Sequence, residues 1–325
     1  MTILVTGAAG FIGYHLCEAL LARGDRVIGL DNLNAYYDPQ LKRDRLARLT
    51  GRNTFSFVEA DIADQAAMEK LGGDHPDIDR IVNLAAQAGV RHSLTHPRDY
   101  VRANLSGFLE ILELARGLKR IEHLVYASSS SVYGANTKLP FSVEDPADRP
   151  LALYGATKKA NEGMAYSYSH LYGIPATGMR FFTVYGPWGR PDMSALIFAR
   201  AILTGQEITV NNQGDMKRDF TYVDDIVQGI VAALDHPPAK GNAAPHRVYN
   251  LGNHSSEPLM RFIEVIEKAC GAKAKIKFAP MQAGDVRETY ADIAASTRDL
   301  GFAPRVSIDV GIPRLVSWFR QYYKI

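Results

Sequence analysis

The chain opens on an apolar run, Ile3-Leu4-Val5-Thr6, that passes straight into Gly7, Gly10 and Gly13. This order requires a strand, a tight turn and a helix start. Gly7 lets the chain turn at the strand end, Gly10 lets backbone amides approach an anion, and Gly13 lets the helix lie close on the sheet. The helix N-terminus offers unpaired N–H groups and a partial positive charge, which together seat a pyrophosphate. The spacing is G-x-x-G-x-x-G, one residue longer than the common G-x-G-x-x-G fingerprint, so the residues that follow must carry the reading. An amphipathic stretch from Phe11 to Arg23, with Ile12 in its first turn, leads to a second apolar strand, Arg26 to Leu30, that ends at Asp31 beside Asn32. That glycine-to-acid interval belongs to a βαβ dinucleotide unit. An acid at this position accepts both hydroxyls of an adenosine ribose and repels the extra phosphate of NADP, which favours NAD.

At 325 residues the chain is long enough for about two domains. Lys and Arg total 37 against 35 Asp and Glu, a net charge of +2, so no overall basic field points to nucleic acid or to an acidic membrane. Cys17 and Cys270 lie far apart without metal-ligand spacing, which fits a reducing cytoplasm and predicts no metal site. The first apolar run stops at Gly7 without a basic leader, so no signal peptide is expected. No segment approaches the roughly 18 uninterrupted apolar residues of a membrane-spanning helix, and a soluble protein is expected.

Through the first half, short β-rich runs alternate with helical patterns: Phe55 to Glu59, Arg80 to Leu84, His123 to Ala127 and Ala176 to Arg180. The fold class expected is α/β, a doubly wound parallel sheet (Rossmann) with helices on both faces. Ligands in such sheets bind beyond the carboxyl ends of the strands, which draws attention to Asp61-Ile62, to Ala85 through Gly89 and to Ser128 through Ser131. Beyond about residue 180, turn-rich stretches interrupt the alternation and a second, smaller domain is expected. Asp235 to His246, rich in Pro, Gly and small residues, reads as a mobile loop.

Tyr154-Gly155-Ala156-Thr157-Lys158 sets a phenol and an ammonium on one face of a helix. A nearby cation favours phenolate, so Lys158 is expected to lower the Tyr154 pKa and let it take a hydroxyl proton and return it. With 16 tyrosines a chance match is easy, but this is the only Tyr-x-x-x-Lys in the chain and it follows a serine-lined strand end. Ser129, with Ser130 next, is the candidate to hold the reacting oxygen toward Tyr154. The alternative is that Ser128 to Ser131 satisfy turn backbone groups.

These residues resemble the extended short-chain dehydrogenase/reductases, and within them the nucleotide-sugar 4-epimerases. The carriers are Thr6 to Gly13, Asp61-Ile62, Leu84-Ala85-Ala86, Ser128 to Gly134, Tyr154 to Lys158, and Arg218 to Asp225. Ala86 to Arg91, Ala127 to Asn136 and Arg180 to Met193 look closest to UDP-glucuronate 4-epimerases. The resemblance implies that bound NAD takes hydride from C4 of the sugar while Tyr154 takes the O4 proton. The 4-keto sugar then turns over and hydride returns to its other face, which interconverts UDP-glucuronate and UDP-galacturonate. It assigns catalysis to Ser129, Tyr154 and Lys158. For the cofactor it implies Gly7, Gly10, Phe11, Ile12, Gly13, Asp31, Asn32, Asp61, Ile62, Leu84, Ala85, Ala86, Gln87, Asn104, Tyr154 and Lys158. It further implies an NAD-binding domain over residues 1–180, with 219–255 returning to it, and a UDP-sugar-binding α/β domain over residues 181–325.

A 4-keto uronic acid is a β-keto acid and loses CO2 easily unless its carboxylate is restrained. Ser130, Ser131, Thr183 and Arg190 are the candidates for that task, beside Ser129 and Arg91 on the substrate. Arg218 and Arg287 are the candidates for the diphosphate, because guanidinium forks match phosphate oxygens. Many glucuronate epimerases carry proline where Arg287 stands, and Asn83 replaces a histidine common in the family, so both positions depart from the pattern. Sugar 4,6-dehydratases resemble Thr-Asp-Glu at the segment held here by Ser129-Ser130-Ser131, and UDP-glucuronate decarboxylases a glutamate there. That segment carries neither acid in this chain. Competing readings are a 4-epimerase of neutral UDP-hexoses (UDP-glucose or UDP-N-acetylglucosamine) and a non-catalytic NAD-binding sensor.

Ala103 to Ala115 is apolar over more than one helical face, with Leu105, Phe108, Leu109, Ile111, Leu112 and Leu114. One face can cover the sheet and another meet a partner, as in the two-fold helix-bundle homodimer that the resemblance implies. The alternative is a helix buried in a monomer.

Overall fold

The structure is a computed structural model and describes residues 1–241 and 243–325. Strands β1 (Thr2–Thr6), β2 (Arg26–Asp31), β3 (Phe55–Glu59), β4 (Arg80–Asn83), β5 (His123–Ser129) and β6 (Ala176–Phe181) lie where the sequence places them. They are followed by β7 (Thr183–Tyr185), β8 (Glu207–Asn211), β9 (Lys217–Tyr222), β10 (His246–Leu251), β11 (Ser256–Pro258) and β12 (Lys275–Ala279). The large sheet has seven strands in the order β10-β6-β5-β4-β1-β2-β3, and every pairing in it is parallel. The chain reverses direction across the sheet between β1 and β4. That reversal opens a crevice at the strand ends, where ligands of doubly wound sheets bind.

Alternation along β1 feeds both layers. Ile3 and Val5 pack on one face with Phe11, Leu20 and Ile226 from helices Phe11–Arg23 and Val223–Asp235. Leu4 points to the other face, with Met68, Phe108, Ile111 and Ala165 from helices Gln65–Asp74, Gly107–Gly117 and Leu153–Tyr172. Ile3, Leu4 and Val5 are each fully buried, and each such side chain contributes about 1.5–3 kcal/mol relative to exposure.

Within residues 219–255, Val223–Asp235 and β10 cover and extend the large sheet. Asp219 to Tyr222 belong to β9, in a smaller sheet of order β11-β9-β7. β8 and β12 form a parallel pair. The loop read over 235–246 joins that helix to β10, and Asn242 within it lies outside the described residues.

The helix expected from Ala103 departs from regularity. Val101–Ser106 is a π-helical turn that runs into Gly107–Gly117. Widening the turn frees a carbonyl, and Asn161 donates to that of Asn104 at 2.6 Å. Phe108, Ile111, Leu112 and Leu114 are buried, whereas Val101 and Leu109 stay exposed.

Candidate active site

A cleft of about 880 Å³ runs along the carboxyl edge of the large sheet and continues over β8. Its floor is the glycine turn. Gly7 has φ +71, and a Cβ there would lie 2.8 Å from the Ala85 nitrogen; one on Gly13 would lie 2.0 Å from the Gly7 carbonyl oxygen. Only bare backbone fits, as close approach to a pyrophosphate requires. Asp31 accepts from Leu33 N at 2.9 Å and from Ala9 N at 3.2 Å, so one carboxylate ties the ribose end of the cleft to the phosphate turn. Both oxygens keep further acceptor capacity for hydroxyls. Phe11, Ile12, Asn32, Asp61, Ile62, Leu84, Ala85, Ala86 and Gln87 complete this half, which fits a dinucleotide. Asn104 was expected at the cofactor but lies behind the wall. It is buried, with its amide bonded to both backbone groups of Gln87 at 2.8 and 3.0 Å and to Thr157 at 3.0 Å.

Ser129 ends β5 and Tyr154 opens helix Leu153–Tyr172, so a strand end and a helix start bring both hydroxyls to the cleft. Ser129 Oγ accepts from Ser131 N at 3.2 Å, which holds the serine turn. The Lys158 ammonium is buried and donates to the Ala127 carbonyl at 2.9 Å. Burial pulls the Lys158 pKa down to about 8. The expectation that Lys158 lowers the Tyr154 pKa is corrected here: burial raises it, opposed by a hydrogen bond with Ser129 and by the Arg190 guanidinium. Lys158 is turned to a carbonyl, and desolvation of the phenol outweighs the groups that favour phenolate.

Ser130, Ser131, Thr183, Arg91 and Arg190 line the same cleft. Arg190 is already engaged: its Nε donates to Asp192 at 3.1 Å, its Nη2 bonds the same carboxylate, and its guanidinium lies 5.6 Å from the Tyr36 ring centre. The Tyr36 hydroxyl donates to Asp192 at 3.1 Å. Burial works against the Asp192 carboxylate, but Arg190 and Tyr36 outweigh it and hold its pKa below the usual range. Arg91 pairs with Asp285 at 3.2 Å.

The two arginines expected at the diphosphate part company. Arg218 faces an adjoining cavity of about 160 Å³ that shares Ser130, Ser131, Thr183 and Asp285 with the main cleft. Arg287 lines neither cavity. Its carbonyl is pinned by Lys217 N at 2.9 Å and its exposed guanidinium pairs with Asp215 at 2.8 Å. Sequence reasoning missed Tyr36, Lys42, Asp192, Gln282 and Asp285, all of which line the cleft. Asp192 stands in the stretch Arg180 to Met193, and no local pattern marks it or Asp285 as facing a ligand.

Cys17 and Cys270 are buried free thiols. Among the described residues, no group of three or more His, Cys, Asp or Glu could hold a metal, and no helix is long and apolar enough to cross a membrane.

Known proteins are similar to this chain over nearly its full length. Protein CapI of Staphylococcus aureus is 49% identical, with all of both chains covered. UDP-glucuronate 4-epimerase 5 of Arabidopsis thaliana is 46% identical over 99% of this chain and 76% of its own length. Among solved structures, UDP-glucuronic acid 4-epimerase from Bacillus cereus, in complex with UDP-glucuronic acid and NAD, superposes with a TM-score of 0.91 at 34% identity, covering 99% of this chain and 100% of that one. Residues 3–252, from within β1 to the residue after β10, match the model of one family, so the chain belongs to the NAD dependent epimerase/dehydratase family.

Proposed function

We propose that this protein is an NAD-dependent 4-epimerase that interconverts UDP-glucuronate and UDP-galacturonate through a 4-keto intermediate. The observation that carries the reading is one continuous cleft holding the glycine turn, Asp31, the Ser129–Tyr154–Lys158 group and Arg190. Relatives named UDP-glucuronate 4-epimerase or UDP-glucuronic acid 4-epimerase, each matched over 99% of this chain, support the choice of sugar.

The glycine turn and Asp31 would hold NAD, which would supply reversible hydride chemistry at C4. Tyr154 receives the O4 proton at its phenol oxygen and later returns it, a general acid–base role. Ser129 holds O4 by hydrogen bonding. Lys158 is anchored to the Ala127 carbonyl at the end of β5, where it fixes the sheet edge next to Ser129. Ser130, Ser131, Thr183 and Arg190 restrain the uronate carboxylate near the carbonyl plane, which suppresses loss of CO2. Arg218 and Arg91 serve the nucleotide end, and a solvent-facing Arg287 paired with Asp215 has no part in it.

Residues 1–180, with helix Val223–Asp235 and β10 from the 219–255 return, carry the cofactor, and the rest of 181–325 carries the UDP-sugar. Exposed Val101, Leu109, Tyr166, Leu171 and Tyr172 on two adjoining helices favour a homodimer through a helix bundle. A cytoplasmic setting agrees with two free thiols.

Purified protein incubated separately with UDP-glucuronate, UDP-glucose and UDP-N-acetylglucosamine, with products followed by NMR, tests the reading. UDP-galacturonate is expected from the first. Turnover of the neutral sugars alone rejects the uronate assignment, and steady CO2 release replaces epimerisation with decarboxylation.

A further inference from the structure

Arg45, on helix Pro39–Leu49, is fully buried, yet the groups it meets are neutral oxygens. Nε and Nη2 donate to the Trp188 carbonyl at 3.1 and 2.6 Å, and Nη2 also to the Gly189 carbonyl at 3.1 Å. Nη1 donates to the Ala9 carbonyl at 3.0 Å and to the Tyr37 hydroxyl at 2.7 Å. All five N–H donors of the guanidinium are thereby used. Removing a cation from water is costly, and a group held this way must organise what surrounds it.

Its partners are the segments that matter to the cleft. Ala9 lies between Gly7 and Gly10, and its own N–H donates to Asp31. Tyr37 follows β2. Trp188 and Gly189 immediately precede Arg190, and Trp188 adopts φ +58, a left-handed conformation that a bulky residue keeps only when its surroundings impose it. The indole is pressed among Tyr14, Trp318 and Tyr322, with ring centres 5.2 to 5.7 Å away, so side-chain packing and the Arg45 bonds grip the same residue from two sides. At the rim, Tyr36 joins the loop after β2 to Asp192.

We propose that Arg45 is a positioning residue that locks the phosphate turn and the Arg190 loop into one unit. Retention of the dinucleotide and placement of the carboxylate-reading guanidinium are then coupled through one buried side chain. A lysine at this position supplies donors from one point and cannot span Ala9 and Trp188 together. The inference rests on the uronate reading only for the role of Arg190. Its cofactor limb is independent of the sugar.

The test uses the holoenzyme and two variants, Arg45→Lys and Tyr37→Phe; the second removes one of the five bonds and leaves the fold otherwise intact. Bound NAD is measured after gel filtration by releasing and quantifying the nucleotide, and affinities for UDP-glucuronate and for UDP are measured by calorimetry. Arg45→Lys is expected to shed most of its NAD on a column where the parent protein keeps it. Its affinity for UDP-glucuronate is expected to fall about tenfold while that for UDP changes less than about twofold. Tyr37→Phe is expected to lower the UDP-glucuronate affinity about threefold relative to UDP, and it decides the question if Arg45→Lys fails to fold. A merely structural arginine lowers the melting temperature without moving the ratio. Full NAD retention with an unchanged ratio in the folded variants overturns the proposal. A parent protein that binds UDP-glucuronate no better than UDP-glucose overturns the uronate reading instead, and the NAD measurement still decides the role of Arg45.

Discussion

Asp192 holds the Arg190 guanidinium by two of its nitrogens at the wall of the cleft, and the Tyr36 hydroxyl binds the same carboxylate at 3.1 Å. The acid both orients the cation and shares its charge. Asp192→Asn is expected to lower KM for UDP-glucuronate, because Arg190 meets the substrate with its full charge. It is also expected to lower kcat by about tenfold, because the guanidinium is less well aimed. Steady-state kinetics check both. A rise in KM with unchanged kcat contradicts this account of the pair.

Tyr154→Phe removes the proton acceptor and leaves the phosphate turn untouched. The variant is expected to keep its NAD and to lose at least about two orders of magnitude in rate, the scale of general acid–base contributions. Near-normal turnover takes Tyr154 out of the mechanism.

Lys158 titrates at about 8 in the folded protein against an ordinary 10.5, because burial penalises its charge. Between those values the unfolded chain binds more protons than the native one, so this group makes stability rise with pH across that window. Relative to Lys158→Met, the parent protein is expected to gain on the order of 3 kcal/mol between pH 8 and 10.5, read from urea unfolding at several pH values. A flat difference places the titration of Lys158 elsewhere.

Gly13→Ala drives a methyl to within 2.0 Å of the Gly7 carbonyl oxygen, so the turn and the helix must separate. NAD affinity is expected to fall by about two orders of magnitude, more than stability does, because the amides aimed at the pyrophosphate move. Equilibrium dialysis with NAD gives the number, and unchanged affinity shows that the helix start is not the anion seat.

Elements whose cause is local were legible in the chain. The β1 strand, the glycine turn, the helix after it and Asp31 follow from apolar alternation and from conformations open only to glycine, and each is settled within a few residues. The same holds for Tyr154 and Lys158, which one helical turn places on one face. The π-turn at Val101–Ser106 was not legible, since it depends on Asn161 reaching across from another helix. Nor was the fate of Arg287, whose charge is taken by Asp215, a residue 72 positions away in the chain.

Spacing and residue type alone determined that this chain builds a parallel sheet with a dinucleotide turn and a phenol near a lysine, because those features need only neighbours along the backbone. Tertiary structure decided that burial raises the Tyr154 pKa and lowers that of Lys158, that Asp192 and Tyr36 hold Arg190, and that Arg45 joins Ala9 to Trp188. Desolvation and hydrogen bonding between distant segments depend on what surrounds a group in space, and that appears only once the layers have packed.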